Sequence, residues 1–417
     1  MLVSLAYIFI LGLLLGSVFN KLRLPSLMGM LITGIILGPY VLNALSPSLL
    51  SISIELRQLA LVIILMRAGL ALDINELKMV GRPAILMCFV PACFEIAGMM
   101  LVAPKLLGIS LLDAAIMGTV VAAVSPAIIV PKMLYLMENK IGTRHKIPQM
   151  IMAAGSVDDV FVIVLFTAFT TLSMGGEVSP ISFVQIPVAI VTGLALGIGV
   201  GVGLTRFFKR FHMRDSIKVL IMMSAAFLFL GCENWLREIV PLSGLLAVMA
   251  MGASILKTYP VLAKRISPKY TKLWVGAEVL LFVLVGATVN IQFAVAAGLS
   301  AVAVIFFSLL FRMSGVFFST FNTKLTLKER LFCMIAYLPK ATVQAAIGSL
   351  PLAMGLSCGN IVLTVAVLAI LITAPLGAFG IDMTYKRLLT PESDDTKQGD
   401  NIPSDDLGEF GLQNRNE

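Results

Sequence analysis

Apolar positions along this chain run in long unbroken blocks separated by short polar or basic connections. The blocks are about 17–25 residues long, the length of helix that crosses ~30 Å of hydrocarbon, whereas strands of a membrane barrel alternate over about ten residues. They place crossings near residues 2–19, 25–42, 56–73, 83–104, 111–134, 147–172, 181–205, 216–234, 239–256, 272–289, 295–319, 331–354 and 360–381. The pattern predicts an all-α polytopic membrane protein with about 13 transmembrane helices. Met1 leads straight into the first block with no basic n-region and no small-residue cleavage site, so Leu2–Phe19 is expected to be a retained crossing.

Composition agrees: 59 % hydrophobic and 13 % charged residues lie far from soluble chains, where roughly a quarter of residues are charged. The net charge of +8 changes the picture only through its distribution. Lys21 and Arg23, Lys78 and Arg82, and the cluster Lys132, Lys140, Arg144 and Lys146 fall on alternate connections. So do Arg206, Lys209, Arg210, Arg214 and Lys218, then Lys257, Lys264, Arg265, Lys269 and Lys272, then Lys324, Lys328 and Arg330, then Lys386 and Arg387. The opposite connections hold only Lys105 and Arg237. By the positive-inside rule this predicts an outside N-terminus and a cytoplasmic C-terminus; the membrane is expected to be a plasma (inner) membrane. The basic charge orients the chain in lipid and implies no nucleic acid. Cys88, Cys93, Cys232, Cys333 and Cys358 have neither disulfide-framework nor metal-ligand spacing and read as packing residues.

From Leu389 the sequence turns acidic and polar, "TPESDDTKQGDNIPSDDLGEFGLQNRNE", so residues 389–417 are expected to form a disordered cytoplasmic tail. Residues 1–388 read as one membrane domain. Two of its blocks carry helix-disrupting residues at their centres: "GTVVAAVSPAIIVPKM" with Pro126, and "MIAYLPKATVQAAIGS" with Pro339. A proline removes a backbone donor and clashes with the preceding turn. If the first six and last six crossings are two halves joined by the seventh, each break falls on the fifth element of its half and the halves have opposite orientation. That position-based repeat is the inverted arrangement of secondary transporters, whose broken helices cross near the bilayer midplane at the binding site.

Ionisable residues away from the ends of the blocks are Arg67, Glu95, Asp158, Asp159, Glu278, Arg312 and Lys340. Each costs about 2.5–3.5 kcal/mol on insertion scales, which marks function or a buried partner. Asp158 and Asp159, in "AGSVDDVF", are consecutive, so on a helix they point about 100° apart and need different surroundings. One can face a water-filled cavity while the other faces a neighbouring helix. Such a pair suits a site that holds a proton or a hard cation, each excluding the other. Two adjacent aspartates on one helix cannot flank a scissile bond, which argues against an intramembrane aspartyl protease. Ser125, at the first break, can supply a hydroxyl ligand or satisfy its own helix. Lys340, beside Pro339, is expected near freed carbonyls at a half-helix C-terminal end, with a dipole-compensating role. Arg67 and Glu278 can pair with each other or line the scaffold and read as structural, and His145, in a basic loop, reads as an ordinary solvated histidine rather than a pH sensor.

The segments "GSVDDVFVIVLF", "AAVSPAIIVPKML", "MRAGLALD", "LFRMSGVFFST" and "YLPKATVQAAIGS" resemble the NHA-type sodium/proton antiporters of the monovalent cation:proton antiporter superfamily, over roughly residues 1–388. The resemblance implies the sodium/proton antiporter fold and a homodimer embedded in membrane lipid. A dimerisation domain (crossings 1–3 and 7–10) would hold a mobile core (crossings 4–6 and 11–13) that carries the ion by an elevator-like movement. It implies that Asp159 binds cation and proton alternately and that Asp158 supports it through the basic residue on the eleventh crossing, here Arg312, where many two-aspartate members have lysine. The expected activity is exchange of Na+ (or Li+) for H+, with no covalent chemistry and no organic cofactor. Na+ would be ligated by Asp159, Asp158, carbonyls of the broken helices and water, because hard cations prefer oxygen. A K+/H+ exchanger or K+ efflux system of the same superfamily is the alternative. An arginine stays charged even when buried, so Arg312 needs a permanent counter-charge. Glu95 is the expected one, leaving Asp158 in neutral or water-bridged states and exchange electroneutral.

Overall fold

The computed structural model describes residues 1–22, 24–71, 81–174, 180–236 and 242–390. Arg23, Lys78, Arg237 and the acidic stretch 391–417 lie outside the described residues. Apart from one isolated bridge at Ile141, the regular structure of the described residues is helical. In chain order the helices are α1 (Leu2–Lys21), α2 (Ser26–Leu37), α3 (Pro47–Leu50), α4 (Ser53–Ala71), α5 (Arg82–Met87) and α6 (Val90–Leu107). Then come α7 (Leu111–Ala122), α8 (Pro126–Glu138), α9 (Ile147–Met174), α10 (Pro180–Arg210), α11 (Asp215–Leu236) and α12 (Gly244–Thr258). The last six are α13 (Pro260–Ala287), α14 (Ile291–Ser319), α15 (Leu327–Ala336), α16 (Thr342–Ile347), α17 (Leu350–Ala353) and α18 (Gly359–Leu388).

Nine helices among the described residues, counting α5–α6 and α7–α8 each as one, are long and apolar enough to cross a membrane. The other four crossings expected from the hydrophobic pattern fall on α2, α4, α12 and the split run α15–α17. These are short, carry several charges, or are interrupted.

Local chemistry sets the ends. Ser110 accepts from the Asp113 N–H at the start of α7, and Ser243 from the Leu246 N–H at the start of α12, satisfying donors that a helix start leaves free. Gly108, at φ 67°, closes α6 in the left-handed conformation that favours glycine.

The helices pack in two sets. In one, α2 lies on α1 and α13, α4 on α12 and α13, and α10 and α11 on α12. In the other, α6 packs on α7 and α14, α9 on α7 and α8, and α18 on α14, α15 and α7. The first set relies on small residues: a Cβ at Gly34 would strike the Val283 carbonyl, and one at Gly286 the Leu31 carbonyl. In lipid, where apolar surface gains little by meeting apolar surface, such backbone approach is a main source of helix association. The two sets meet where α9 touches α10 and α12 and where α16 touches α4 and α13.

Candidate ion-binding site at the helix crossing

Both expected breaks are present. α7 stops at Ala122 and α8 begins at Pro126, with Ser125 between them making no side-chain cap. A proline at the first helical position loses no bond, because that N–H is unpaired in any helix. α15 stops at Ala336 and α16 starts at Thr342, so Pro339 and Lys340 lie in the non-helical stretch. The two breaks touch: the Ser125 N–H donates to the Pro339 carbonyl at 2.9 Å. The Lys340 N–H donates to Thr373 Oγ1 of α18, also at 2.9 Å.

A helix ending inside a bilayer leaves carbonyls that carry the negative end of its dipole. At the end of α7 these are met by side chains from the other half of the chain. Gln344 Nε2 donates to the Val121 and Ala123 carbonyls at 3.1 and 2.7 Å. The Ala122 carbonyl between them accepts from Arg312 Nη1, with Lys340 Nζ 3.4 Å away. Lys340 therefore does lie at a half-helix C-terminal end, but that end belongs to the opposite break.

The charges form one buried network. Arg312, on α14, reaches Glu95 of α6 through Nη1 and Asp158 of α9 through Nη2, both at 2.9 Å, and its Nε donates to the Tyr337 carbonyl at 2.8 Å. Lys340 Nζ lies 2.6 Å from the same Glu95 oxygen. Asp158 Oδ2 also accepts the Val124 N–H at 3.0 Å. Arg312, Glu95, Asp158 and Lys340 are all fully buried. The expected Glu95–Arg312 pair is present, but the expected release of Asp158 is corrected: the guanidinium fork has donors for both carboxylates and holds both.

Asp159 points elsewhere, as the 100° offset requires. It is 8 % exposed and lines a cavity of about 20 Å³ with Leu61, Leu65 and Met249 on one side and Thr342, Val343 and Ile347 on the other. That seam joins the two helix sets. The volume holds about one water or one largely dehydrated cation. Leu61 also borders a wider cavity of about 400 Å³, lined by Glu55, Gln58, Glu233 and Met354 among others. Asp159 makes no ion pair among the described residues. Among the described residues, the buried side-chain oxygens without a partner are Asp158 Oδ1, Asp159 Oδ1, Ser125 Oγ, Glu95 Oε1, Gln344 Oε1 and Gln149 Oε1; all but the last belong to residues of the crossing or its charge network. Buried polar atoms are nearly always paired, so these oxygens are open to water, a proton or a cation. Ser125 lies at the crossing without a described contact to either aspartate.

Three contributors escaped the sequence reading: Gln344, Thr373 and Tyr337. Gln344 carried a usable signal, since an amide inside an apolar helix must find partners there. Arg67 and Glu278 sit on α4 and α13, which pack on each other. His145 is corrected: its Nδ1 lies 2.8 Å from Glu329 Oε1 and its side chain is 25 % exposed, so it is partnered and partly buried.

A polytopic helical bundle with two crossing broken helices and a buried carboxylate pair, one member ion-paired and the other facing a cavity, defines a secondary ion transporter. The chain belongs to the sodium/hydrogen exchanger family, whose transmembrane model, "Sodium/hydrogen exchanger, transmembrane", matches residues 6–387. It is a cation/proton antiporter. Similar relatives include human sodium/hydrogen exchanger 9B2, 34 % identical over 88 % of this chain and 70 % of the relative. Human sodium/hydrogen exchanger 9B1 is 30 % identical over 90 % and 74 %. The fold resembles that of the sodium proton antiporter MjNhaP1 from Methanocaldococcus jannaschii at pH 8, with a TM-score of 0.79 at 19 % identity over 92 % of this chain and 97 % of that one.

Proposed function

We propose that the protein exchanges one Na+ (or Li+) for one proton at Asp159. The observation that carries this reading is the charge balance of the crossing. Three buried carboxylates, Glu95, Asp158 and Asp159, face two buried cations, Arg312 and Lys340. The pairs Arg312–Glu95, Arg312–Asp158 and Lys340–Glu95 leave one negative charge, on Asp159. A buried unpaired carboxylate is costly, so a proton or a monovalent cation neutralises it, and the two compete for the same oxygens.

Alternating access follows from where Asp159 sits. It belongs to the α9 set but lines the seam with α4 and α12, so sliding one set past the other carries the ion between the two faces. In this reading α1, α2, α4 and α10–α13 form the scaffold of a homodimer, and α5–α9 with α14–α18 form the moving core. The basic connections hold the C-terminus on the cytoplasmic face of a plasma membrane, with the N-terminus outside. The 400 Å³ cavity opens at the N-terminal end of α4 and forms the outer approach. Glu55, in the first turn of α4, lines the wide end, where a carboxylate attracts cations.

The test is proton flux from purified protein in liposomes, titrated separately with Li+, Na+ and K+. Half-saturation by Li+ and Na+ at lower concentrations than K+ is the expected result. A response to K+ alone would replace the sodium reading by potassium/proton exchange.

A further inference from the structure

Gln344 is committed to one helix end. It is fully buried on α16, and its amide donates both of its hydrogen bonds from Nε2, to the Val121 carbonyl and the Ala123 carbonyl beside the end of α7. That fixes the orientation of the amide, since the flipped form would press Oε1 against two carbonyl oxygens and leave all three without a hydrogen. The Ala122 carbonyl in between accepts from Arg312. The next residue but one, Val124, donates its N–H to Asp158. Three successive carbonyls, those of the residues immediately before the Asp158 partner Val124, are thus already occupied by side-chain donors.

Free carbonyls at a half-helix C-terminal end are strong cation ligands, and the number of such dipoles around an ion decides between cations of different size. We propose that Gln344 is a specificity-determining residue of this exchanger: by occupying the Val121 and Ala123 carbonyls it keeps them out of the ion's coordination shell. The cation is then held by carboxylate, hydroxyl and water oxygens at the seam. A small shell of charged oxygens favours the small cations Li+ and Na+, and two added carbonyls would make room for a larger one. The inference rests on the reading that the aspartate pair binds the transported cation.

The experiment compares full-length wild type, Gln344→Met and Gln344→Glu in liposomes, each titrated with Li+, Na+ and K+, with thermal stability measured alongside. Methionine keeps the length of the side chain and removes the donor. Gln344→Met is expected to improve half-saturation by K+ relative to Na+ by several-fold. An unchanged ion ratio, with only the melting temperature lowered, would mean that the amide merely holds two helices together and would overturn the proposal. Should Gln344→Met not fold, Gln344→Glu decides. A protonated carboxyl still donates one hydrogen bond and an ionised one donates none, so its ion preference should match wild type in acid and move towards K+ as pH rises. A preference equal to wild type at every pH overturns the proposal. Wild type without any cation-driven proton flux overturns the exchange reading itself, whereas wild type that exchanges beside an unaltered Gln344→Met overturns only the role of Gln344.

Discussion

At the scale of residues, two neighbours on α9 do different work because their side chains leave the helix in different directions. Asp158 is bound into the network by Arg312 and the Val124 N–H, while Asp159 faces a cavity with one oxygen unpaired. Asp159→Asn keeps the shape but carries no charge for a proton or cation to neutralise. Its vesicles should show no dissipation of a pH gradient when Na+ is added, and any residual response would move the site elsewhere. Lys340 behaves differently. Its ammonium contacts Glu95 and the end of α7, so Lys340→Ala leaves a buried carboxylate with one cation instead of two. Glu95 keeps Arg312, so the loss stays below the roughly 3–5 kcal/mol of a fully unpaired buried charge, but the melting temperature in detergent should fall at least as clearly as turnover. Wild-type stability with lost sodium affinity would instead place Lys340 among the ion ligands.

At the scale of elements, the start of α15 is the best-defined local device outside the lipid. Thr326 and Glu329 form a capping box in which each side chain accepts the other's backbone N–H. Glu329 also meets His145, in the connection between α8 and α9, at 2.8 Å. Burial alone would raise the Glu329 carboxyl; bonds from the Thr326 N–H, from His145 and from the Thr326 hydroxyl outweigh it and hold the group below its ordinary 4.5. A depressed folded-state pKa means that the ionised group stabilises the fold above the ordinary value and loses that contribution as pH falls through the folded one. Glu329→Gln should therefore melt lower than wild type at neutral pH and lose less on acidification below about pH 5. Parallel acid-melting curves for the two proteins would show that the box does not depend on the charge.

For the whole molecule, one unpaired charge among the buried groups of the core makes a statement about voltage. If Asp159 carries either a proton or a Na+ across, the core bears the same net charge in both directions. Sodium-driven proton flux should then be insensitive to an imposed membrane potential. Liposomes with and without a valinomycin-clamped potential test this, and a rate that changes several-fold with voltage would return a second proton to Asp158 or Glu95. Arg312 supports the one-for-one count because a guanidinium stays protonated in lipid. Its fork serves Glu95 and Asp158 together, a degree of sharing that an inventory of charges, one partner each, does not anticipate.

Hydrophobic block length, the side bias of lysine and arginine, the two prolines and the list of intramembrane charges are all readable along the chain, because each depends on the local cost of placing a group in hydrocarbon. They suffice for a helical transporter with two broken helices and for the identity of its charged residues. Which of those charges meet was decided only by tertiary structure. Arg312 lies 217 residues from Glu95 and 154 from Asp158 along the chain, and Lys340 lies 245 from Glu95. Likewise, periodicity told that Asp158 and Asp159 diverge but not which one faces the seam. Gln344 on the α7 carbonyls and His145 on Glu329 belong to the same class: a polar group's need for a partner is local, but the partner is supplied by whichever distant helix packs against it.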